Sequence, residues 1–488
     1  MIGGDRHLTV QEHERIQLSS LPGGLTAERL VAVQAEDLHD PRKKTFTPFS
    51  RVGEQVRAPG RVGVVDVDGV VVEILPKAGH RDLGSSAAGE QLSERQVERS
   101  RQVVEALVHA FLQSGPMDDH RSARTLNPTR LQATRGPIRE RVHERFVEET
   151  EILLPHRVRM GYTAASERLP YLRGRLDLGR QSRQLPGQEH RFHVRYRRFD
   201  AARPENRLIK TALLRVASRS PRADLRLRAH QLAGLLDEVP VSHAVAADLA
   251  QWDRGRLLEG YRAVEPWCRL TLQPLLGTRV GADQAESLLW RTENLFEKAL
   301  ESALARRVVA VGADLEVVSQ AGDVVEHLGT DEAGEAAFRL EPDLLLRSRG
   351  DAVAVIDAKW KQHDKRGSAV PDLSPSDDDP SEEAATSTKP RPLAIGREDA
   401  YQLFAYGHRY LKGRGPMVVV YPASLKFTTP VTYQLGELTL TALPYDVADD
   451  EFLLGHRDSA TRRALGDLVP LLSPPGSSSA THKTRSTT

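Results

Sequence analysis

Cysteine is almost missing from this chain, since Cys268 is the one cysteine among 488 residues. A lone thiol cannot form an internal disulfide, and it cannot build a zinc site from several cysteines. Long apolar runs are missing too, because no stretch approaches the roughly 20 residues that cross a bilayer. The first residues, MIGGDRHLTVQEHERIQL, carry scattered charges and no apolar centre, so we expect no secretory signal peptide. These absences predict a cytoplasmic protein with no membrane partner.

An excess of charge of one sign is also lacking, because 68 Lys and Arg face 67 Asp and Glu. Global charge therefore does not indicate a nucleic-acid partner, although an acidic segment at residues 362–396 leaves the rest of the chain mildly basic. The sequence has neither an HExxH metal helix nor a G-x-S-x-G elbow, which gives little support to other hydrolase classes. It has no Gly-Lys dipeptide and therefore no Walker A loop, so this chain should not hydrolyse nucleotides itself.

What is present is the composition of a globular protein, with 39% hydrophobic and 28% charged residues in a chain long enough for two or three cores. We predict a multidomain protein of mixed α/β and α+β class. Its parts are a β-rich module at residues 1–130, a middle domain with a β-ribbon and helices at residues 131–285, an α/β domain at residues 286–460 and a mostly disordered tail at residues 461–488. Residues 362–396 lack aromatics and are rich in Pro, Ser and acids, so we expect disorder there as well.

Local patterns predict several elements in the first two parts. Residues 61–77 indicate a hairpin around Asp68-Gly69, a dipeptide suited to a tight turn. Helical spacing of apolar residues predicts helices over residues 91–114, over 138–153 and within 204–259.

A β-ribbon is predicted from residues 172–179 and 190–199, which Pro186-Gly187 separates. Side chains alternate along a strand, so a basic set shares one face of the second strand: Arg191, His193, Arg195 and Arg197. This face is either a contact for DNA phosphates or a solvated outer face.

The α/β domain is predicted to open with an amphipathic helix at residues 288–307. Strands and helices then alternate along the chain, which indicates an α/β core. The predicted elements are strands at residues 308–319, 343–347 and 352–358, a helix at 397–411 and a strand at 417–421.

The most informative stretch is EPDLLLRSRGDAVAVIDAKWK at residues 341–361, which predicts a hairpin turning at Arg349-Gly350. Asp343 begins the first strand, and the returning strand places Asp357 and Lys359 on one face. A carboxylate in such an apolar strand is costly to bury unless its charge is compensated, and a divalent cation shared with Asp343 would do so.

These residue types suit the hydrolysis of a phosphodiester. Two carboxylates can hold Mg²⁺, which lowers the pKa of a bound water, while a lysine beside them orients that water. The Ala358 carbonyl and the Glu297 carboxylate are further candidate ligands. Gln402 and Tyr406, four residues apart on one helix face, are candidates beside the active site. Each candidate also has a non-catalytic interpretation. The D-x-K pattern often occurs by chance, Glu297 could form a surface salt bridge, and Gln402 and Tyr406 could pack their helix against the sheet.

The hairpin, its helices and their order resemble the PD-(D/E)xK nuclease fold, with a Q-x-x-x-Y helix found in one branch. A longer ordered series of motifs looks like the McrC family, the nuclease subunits of McrBC-type modification-dependent restriction systems. The matching pieces, spread over roughly residues 60 to 425, are ILPK at 74–77, YLRGRLD at 171–177, DAARPENRLIKTAL at 200–213, NLFE at 294–297, PDLLL at 342–346, IDAKWK at 356–361 and DAYQLFAY at 399–406. An ordered series is far more specific than any single motif.

This resemblance implies a catalytic set of Asp343, Asp357 and Lys359, supported by Glu297 and Gln402. It also implies that the regions before the nuclease domain dock on a McrB-like ring of AAA+ GTPase subunits and stimulate hydrolysis. The expected function is Mg²⁺-dependent cleavage of duplex phage or foreign DNA carrying 5-methylcytosine, with no small-molecule cofactor. The alternative is a non-catalytic adaptor that binds DNA or activates the NTPase, against which the three catalytic residues argue. The acidic segment at residues 362–396 is longer than the family pattern needs and is either an inert loop or a DNA mimic that covers the cleft.

Overall fold

The computed structural model describes residues 6–33, 46–67, 69–81, 92–113, 136–156, 158–185, 187–188, 190–252, 259–272, 286–312, 314–319, 326–333, 335–361, 395–456 and 459–473. The chain forms two compact units. The first unit holds residues 1–120, 127–132 and 289–488, and the second holds residues 121–126 and 133–288. The second unit is therefore inserted, in sequence, between two halves of the first.

The N-terminal half of the first unit is rich in short strands. Its elements are β1 (His7–Gln11), β2 (Arg15–Gln17), α1 (Ala27–Ala32), β3 (Ser50–Val52), β4 (Gln55–Arg57), β5 (Arg61–Val67), β6 (Val70–Leu75) and α2 (Glu94–Gln113), with a 3-10 turn at Leu18–Ser20. The predicted hairpin is confirmed, because β5 and β6 pair in antiparallel fashion with Val67 opposite Val70. Gly69 has a φ of 79°, a left-handed value that suits glycine in the turn, while Asp68 lies outside the described residues. The helix predicted at residues 91–114 is confirmed as α2.

The second unit is mostly helical. Its elements are α3 (Ile138–Leu153), β7 (Gly161–Leu169), β8 (Arg175–Leu176), α4 (Leu178–Gln181), β9 (Phe192–Asp200), α5 (Pro204–Arg219), α6 (Ala223–Gly234), α7 (Val245–Ala250) and α8 (Glu259–Leu272), with a 3-10 turn at Leu154–His156. Helix α3 has the bounds that its apolar spacing predicted.

The β-ribbon has a different partner strand from the one that the sequence predicted. Strand β9 pairs along its whole length with β7, from Gly161 opposite Asp200 to Leu169 opposite Phe192. Within residues 172–179 only β8 is a strand, and α4 follows because the Asp177 side chain accepts a hydrogen bond from the Arg180 amide and caps the helix. The prediction of one long strand at residues 172–179 was therefore wrong.

The C-terminal half of the first unit begins with β10 (Glu286–Arg291), which joins the N-terminal sheet in the order β1, β6, β5, β10. The further elements are α9 (Thr292–Val311), β11 (Glu316–Ser319), β12 (Glu326–Thr330), β13 (Ala336–Leu340), β14 (Leu344–Ser348), β15 (Asp351–Ala358), α10 (Arg397–Tyr410), β16 (Gly415–Pro422), β17 (Val431–Leu435), β18 (Leu438–Asp446), β19 (Glu451–Phe452), α11 (Ala460–Leu465) and α12 (Val469–Leu472), with a 3-10 turn at Gly466–Leu468.

Two predicted boundaries in this half were wrong. The helix expected from residue 288 begins at Thr292, because the four residues before it continue strand β10. The strand expected at residues 308–319 is reduced to β11, since α9 runs on to Val311 and ends where Gly312 takes a left-handed φ of 62°.

A mixed sheet forms the centre of this half, with strand order β11, β14, β15, β16, β18, β17 and with β19 paired to β18. Strands β14 and β15 are antiparallel, whereas β15, β16 and β18 run parallel. Helix α10 packs on one face, over a buried cluster that includes Leu345, Val355, Leu403, Tyr406, Met417, Val419 and Leu440. Gly407 allows the close approach, because a Cβ there would overlap Met417 Sδ and lie 2.9 Å from Leu438 Cδ1.

The two halves of the first unit meet at the residues that follow β6. Gly79 donates its N–H to the Ala423 carbonyl over 3.0 Å, and its own carbonyl accepts from the Val447 N–H over 2.9 Å. Arg81 adds an ion pair to the buried Asp446, with 3.0 Å between Nε and Oδ2. The N-terminal strands are thus anchored at the carboxyl ends of β16 and β18, beside the central sheet.

The mixed class predicted from the sequence is confirmed at the level of an α/β and α+β multidomain architecture. Residues 362–394 of the acidic segment and residues 474–488 of the expected tail lie outside the described residues, while α11 and α12 occupy residues 460–472. No helix in the described ranges is long and apolar enough to span a bilayer.

Candidate active site

The β14–β15 hairpin builds the candidate site. Its turn residues Arg349 and Gly350 have φ values of 52° and 95°, both left-handed, and the Arg347 side chain donates to the Gly350 carbonyl over 2.6 Å. The strand register sets Leu344 opposite Ile356, so Asp343 lies just beyond the paired region, beside the end of β15. Asp343 Oδ2 accepts a hydrogen bond from the Ala358 backbone N–H over 2.7 Å. The hairpin thus brings the two aspartates to one place.

Asp357 and Lys359 lie on the same face of the returning strand and touch. Lys359 Nζ is 2.7 Å from Asp357 Oδ2. The Asp357 side chain is 1% exposed, and no described amide, hydroxyl or ammonium group donates to its other oxygen, Oδ1. A buried carboxylate oxygen without a donor is uncommon, and a further positive partner would compensate its charge.

Electrostatics link Asp343, Asp357 and Glu297. Burial and then the charge of Asp343 raise the pKa of Asp357 to about 7, although Lys359 opposes the shift. Burial also raises the pKa of Asp343, and the charge of Glu297 adds to this effect. The pKa of Glu297 on α9 is raised by burial first and by the charge of Asp357 second. The site therefore holds more negative charge than Lys359 neutralises.

Lys359 remains cationic. Burial alone would lower the pKa of its ammonium group, but the charges of Asp357 and Asp343 raise it. Its backbone N–H donates to the Val420 carbonyl over 2.9 Å, which continues the pairing of β15 with β16 past the last strand residue.

Gln402 and Tyr406 lie on the same face of α10, as their spacing predicted. Gln402 Nε2 donates to the Tyr406 hydroxyl over 2.7 Å, and that hydroxyl donates to the Glu341 carbonyl over 2.9 Å. Glu341 precedes Pro342-Asp343. The pair thus holds the segment that precedes Asp343, and a role of Gln402 and Tyr406 in catalysis stays a prediction.

The donor set fits a hard divalent cation. Mg²⁺ in proteins is held by one or two carboxylates and keeps several waters. Asp343 and Asp357 supply two such carboxylates, and the Ala358 carbonyl lies on the same strand edge as its N–H, which faces Asp343. No cluster of three His, Cys, Asp or Glu side chains suited to a metal occurs in the part of the chain that the structure describes, and Glu297 as a further ligand stays a prediction.

Asp399, in the first turn of α10, was missed from the sequence. Its buried carboxylate accepts from Lys361 Nζ over 3.0 and 2.9 Å and from the Tyr421 hydroxyl over 3.3 Å. Its charge also raises the pKa of Lys359. An acid at a helix start is so common that the sequence carried no specific signal.

The basic face of the ribbon belongs to the second unit. Arg191, Arg195 and Arg197 are all exposed on or beside β9. Arg195 is engaged by Asp177, with 2.6 Å between Nη2 and Oδ2, and Arg197 lies 5.7 Å from the Tyr162 ring centre. Contact of this face with DNA phosphate stays a prediction.

The model of one protein family, McrBC 5-methylcytosine restriction system component, matches residues 56–378. The chain belongs to this family. The McrC resemblance drawn from the ordered motifs is thereby confirmed.

One solved structure shares the fold of this chain, and a second matches it less well. The first is a refined half-complex from a tetradecameric assembly of Thermococcus gammatolerans McrB AAA+ hexamers with bound McrC. Its matching chain is 14% identical to this one, with a TM-score of 0.58. The match covers 95% of this chain and 100% of that chain. A cryo-EM structure of the Thermococcus gammatolerans McrBC complex matches at 17% identity and a TM-score of 0.40, over 62% of this chain and 88% of that chain. No curated protein matches this sequence.

Proposed function

We propose that this chain is the Mg²⁺-dependent endonuclease subunit of a McrBC-type restriction system, with Asp343, Asp357 and Lys359 at its active centre. The observation that carries the proposal is the β14–β15 hairpin, which brings together the buried carboxylate of Asp357, the half-buried carboxylate of Asp343 and one ammonium group. Membership of the McrBC family supports it independently. We also propose, as part of the same hypothesis, that the α/β domain has a PD-(D/E)xK nuclease core.

The residues divide the chemistry between them. Asp343 and Asp357 would hold the cation, with the Ala358 carbonyl as a further oxygen ligand and Glu297 near enough to influence the site's charge. When bound, Mg²⁺ supplies Lewis-acid polarisation of a phosphoryl oxygen and an acidified water. Lys359 Nζ then offsets negative charge that develops on the phosphate and orients the attacking water. Tyr406, supported by Gln402, keeps Asp343 in place.

The energy for translocation would come from a partner. The chain has no Walker A loop, and the solved assembly pairs McrC with McrB AAA+ hexamers. We therefore propose that this chain docks on a McrB-like GTPase ring, stimulates its hydrolysis and cleaves duplex DNA. The family description names 5-methylcytosine, which makes methylated foreign DNA the proposed target.

The decisive experiment combines the chain with its cognate partner, GTP, Mg²⁺ and methylated duplex DNA. Wild type should cleave, whereas Asp357→Ala and Lys359→Ala should lose cleavage by at least about a hundredfold and still stimulate nucleotide hydrolysis. Asp351→Ala, which removes an exposed carboxylate from the other end of β15, is the matched control and should cleave normally. If both Asp357→Ala and Lys359→Ala still cleave DNA, the proposed catalytic centre is wrong. A wild type that stimulates hydrolysis without cutting any DNA would favour the adaptor instead.

A further inference from the structure

A buried carboxylate lies far from the active centre in sequence but next to it in space. Glu12 follows strand β1 in the N-terminal half of the first unit and is 4% exposed. Its Oε1 accepts from the Trp360 indole N–H over 2.8 Å and from the Lys77 backbone N–H over 3.1 Å. Its Oε2 accepts from the Thr292 hydroxyl over 3.0 Å. One side chain thus joins three separate segments.

The first of these segments contains the catalytic lysine. Trp360 directly follows Lys359, so fixing the indole restricts the backbone that carries the ammonium group. The indole packs edge-on against Phe296, with 5.2 Å between ring centres. On another side it meets Gly79, where an added Cβ would be 3.3 Å from the indole Cη2. Trp360 is therefore held by packing, and its polar edge is held by Glu12.

The second segment contains the nearby acid. Thr292 is the first residue of α9, the helix that carries Glu297 a little more than one turn later. A bond from Glu12 to the start of this helix limits how the helix can rotate or slide. The same carboxylate therefore constrains both the Lys359 strand end and the Glu297 helix.

The chemistry of the Glu12 carboxylate suits a group that holds three segments in place. Burial raises the pKa of Glu12, while the hydrogen bonds from Trp360, Lys77 and Thr292 lower it again. A buried polar group that loses a partner is costly, so this junction favours a single arrangement of the three segments. A glutamine of the same size offers one accepting oxygen and an amide that cannot accept from Thr292.

We infer that Glu12 is a positioning residue for the nuclease centre, acting through Trp360 on Lys359 and through Thr292 on Glu297. This inference rests on the proposed function, since it assigns Glu12 to that same centre. It makes the N-terminal strands part of the nuclease architecture as well as of partner docking.

Three conservative variants test the junction: Trp360→Phe removes the indole N–H and keeps a ring, Thr292→Val removes one hydroxyl, and Glu12→Gln removes one accepting oxygen. Each should lower single-turnover DNA cleavage by about tenfold, the effect of one misplaced group, while stimulation of the partner's GTPase is retained. Glu12→Gln should also reduce the rise in Tm that Mg²⁺ gives the chain alone. The double variant Glu12→Gln/Thr292→Val should be no worse than the poorer single variant, because both changes remove the same hydrogen bond.

Glu14→Gln is the matched control, because the same change falls on an exposed neighbour. It should leave cleavage, stimulation and the Mg²⁺ shift unchanged. If cleavage and stimulation fall together in proportion to the folded fraction, Glu12 is merely structural and the inference is overturned. If all three variants cleave as wild type while Asp357→Ala does not, the inference fails and the proposed function stands. If Asp357→Ala also cleaves, both fail.

Discussion

The Ala358 backbone N–H donates to the Asp343 carboxylate over 2.7 Å, so the residue between Asp357 and Lys359 holds Asp343 at the end of β15. This contact brings the two aspartates together at a strand end. It also sets up the charge imbalance on which the first prediction depends.

Stability without metal should fall as pH rises. The pKa of Asp357 lies near 7 in the folded protein and at 3.8 without perturbation, so folding binds a proton between about pH 4 and 7. The stabilisation is complete below pH 4 and is lost as pH rises through 7, at up to about 1.4 kcal/mol per pH unit. Asp357→Asn removes this contribution. In EDTA, the free energy of unfolding of wild type minus that of Asp357→Asn should decrease from pH 5 to pH 8, as measured by urea denaturation.

Two comparisons accompany this measurement. Asp351→Asn, an exposed change on the same strand, should follow wild type at every pH. Adding Mg²⁺ at pH 8 should restore stability to wild type but little to Asp357→Asn. A difference that stays flat across the pH range would show that Asp357 is charged in the folded protein from pH 5 upward.

Tyr406→Phe should weaken cleavage without removing any group from the reaction. The variant loses the hydroxyl that donates to the Glu341 carbonyl, so the segment before Asp343 is less restrained. We expect a loss of about 1 kcal/mol in the free energy of unfolding and a cleavage rate about tenfold lower. Tyr401→Phe, an exposed change on the same helix, should affect neither quantity. Equal activity of the two variants would remove the positioning role of Tyr406.

Gly407→Ala should displace helix α10 from the sheet. The added methyl group would overlap Met417 Sδ and crowd Leu438, and a packed interface of this kind resists extra atoms. We expect the free energy of unfolding to fall by about 1–3 kcal/mol. Gly234→Ala is the control, since a Cβ there meets nothing within 4 Å. Thermal denaturation of both variants measures the difference, and similar Tm values would contradict the close packing.

Asp399→Asn should shift the alkaline limit of cleavage. The charge of Asp399 raises the pKa of Lys359, so its removal should let the ammonium group lose its proton at lower pH. The high-pH limb of the single-turnover rate profile should move to lower pH, while the rate near pH 7 changes less. Glu398→Gln, an exposed change one residue away, should leave the profile in place. If the high-pH limb of the rate profile does not move, deprotonation of Lys359 does not determine the alkaline limit of cleavage.

Local signals predicted the hairpin well and the longer pairings poorly. Strands β14 and β15 are joined by two residues, Arg349 and Gly350, and Gly350 favours a tight turn, so apolar alternation and turn chemistry agree. Strand β7, in contrast, has the sequence GYTAASERL, with few β-branched residues, and it gains its structure from pairing with β9. In the same way β10 looks like the start of an amphipathic helix until the N-terminal sheet is known.

The residues at and around the candidate centre also differ in how well the sequence predicts them. Asp343, Asp357 and Lys359 were identified because their spacing within one hairpin already places them together. Glu12 could not be identified, because a glutamate in a polar stretch usually lies on the surface and only the fold brings it to Trp360, 348 residues later. Residues that hold a site in place are thus harder to read from sequence than residues that react.

The insertion of the second unit between the two halves of the first has a consequence for biosynthesis. A ribosome that has released the N-terminal strands has not yet made β10, Thr292 or Trp360, because Thr292 lies 280 residues after Glu12 and Trp360 lies 348 residues after it. Domains usually fold in the order in which they emerge, and the helical insert is free to do so. The C-terminal half of the first unit then closes onto strands made much earlier, so an interrupted translation product would carry the insert without the candidate centre.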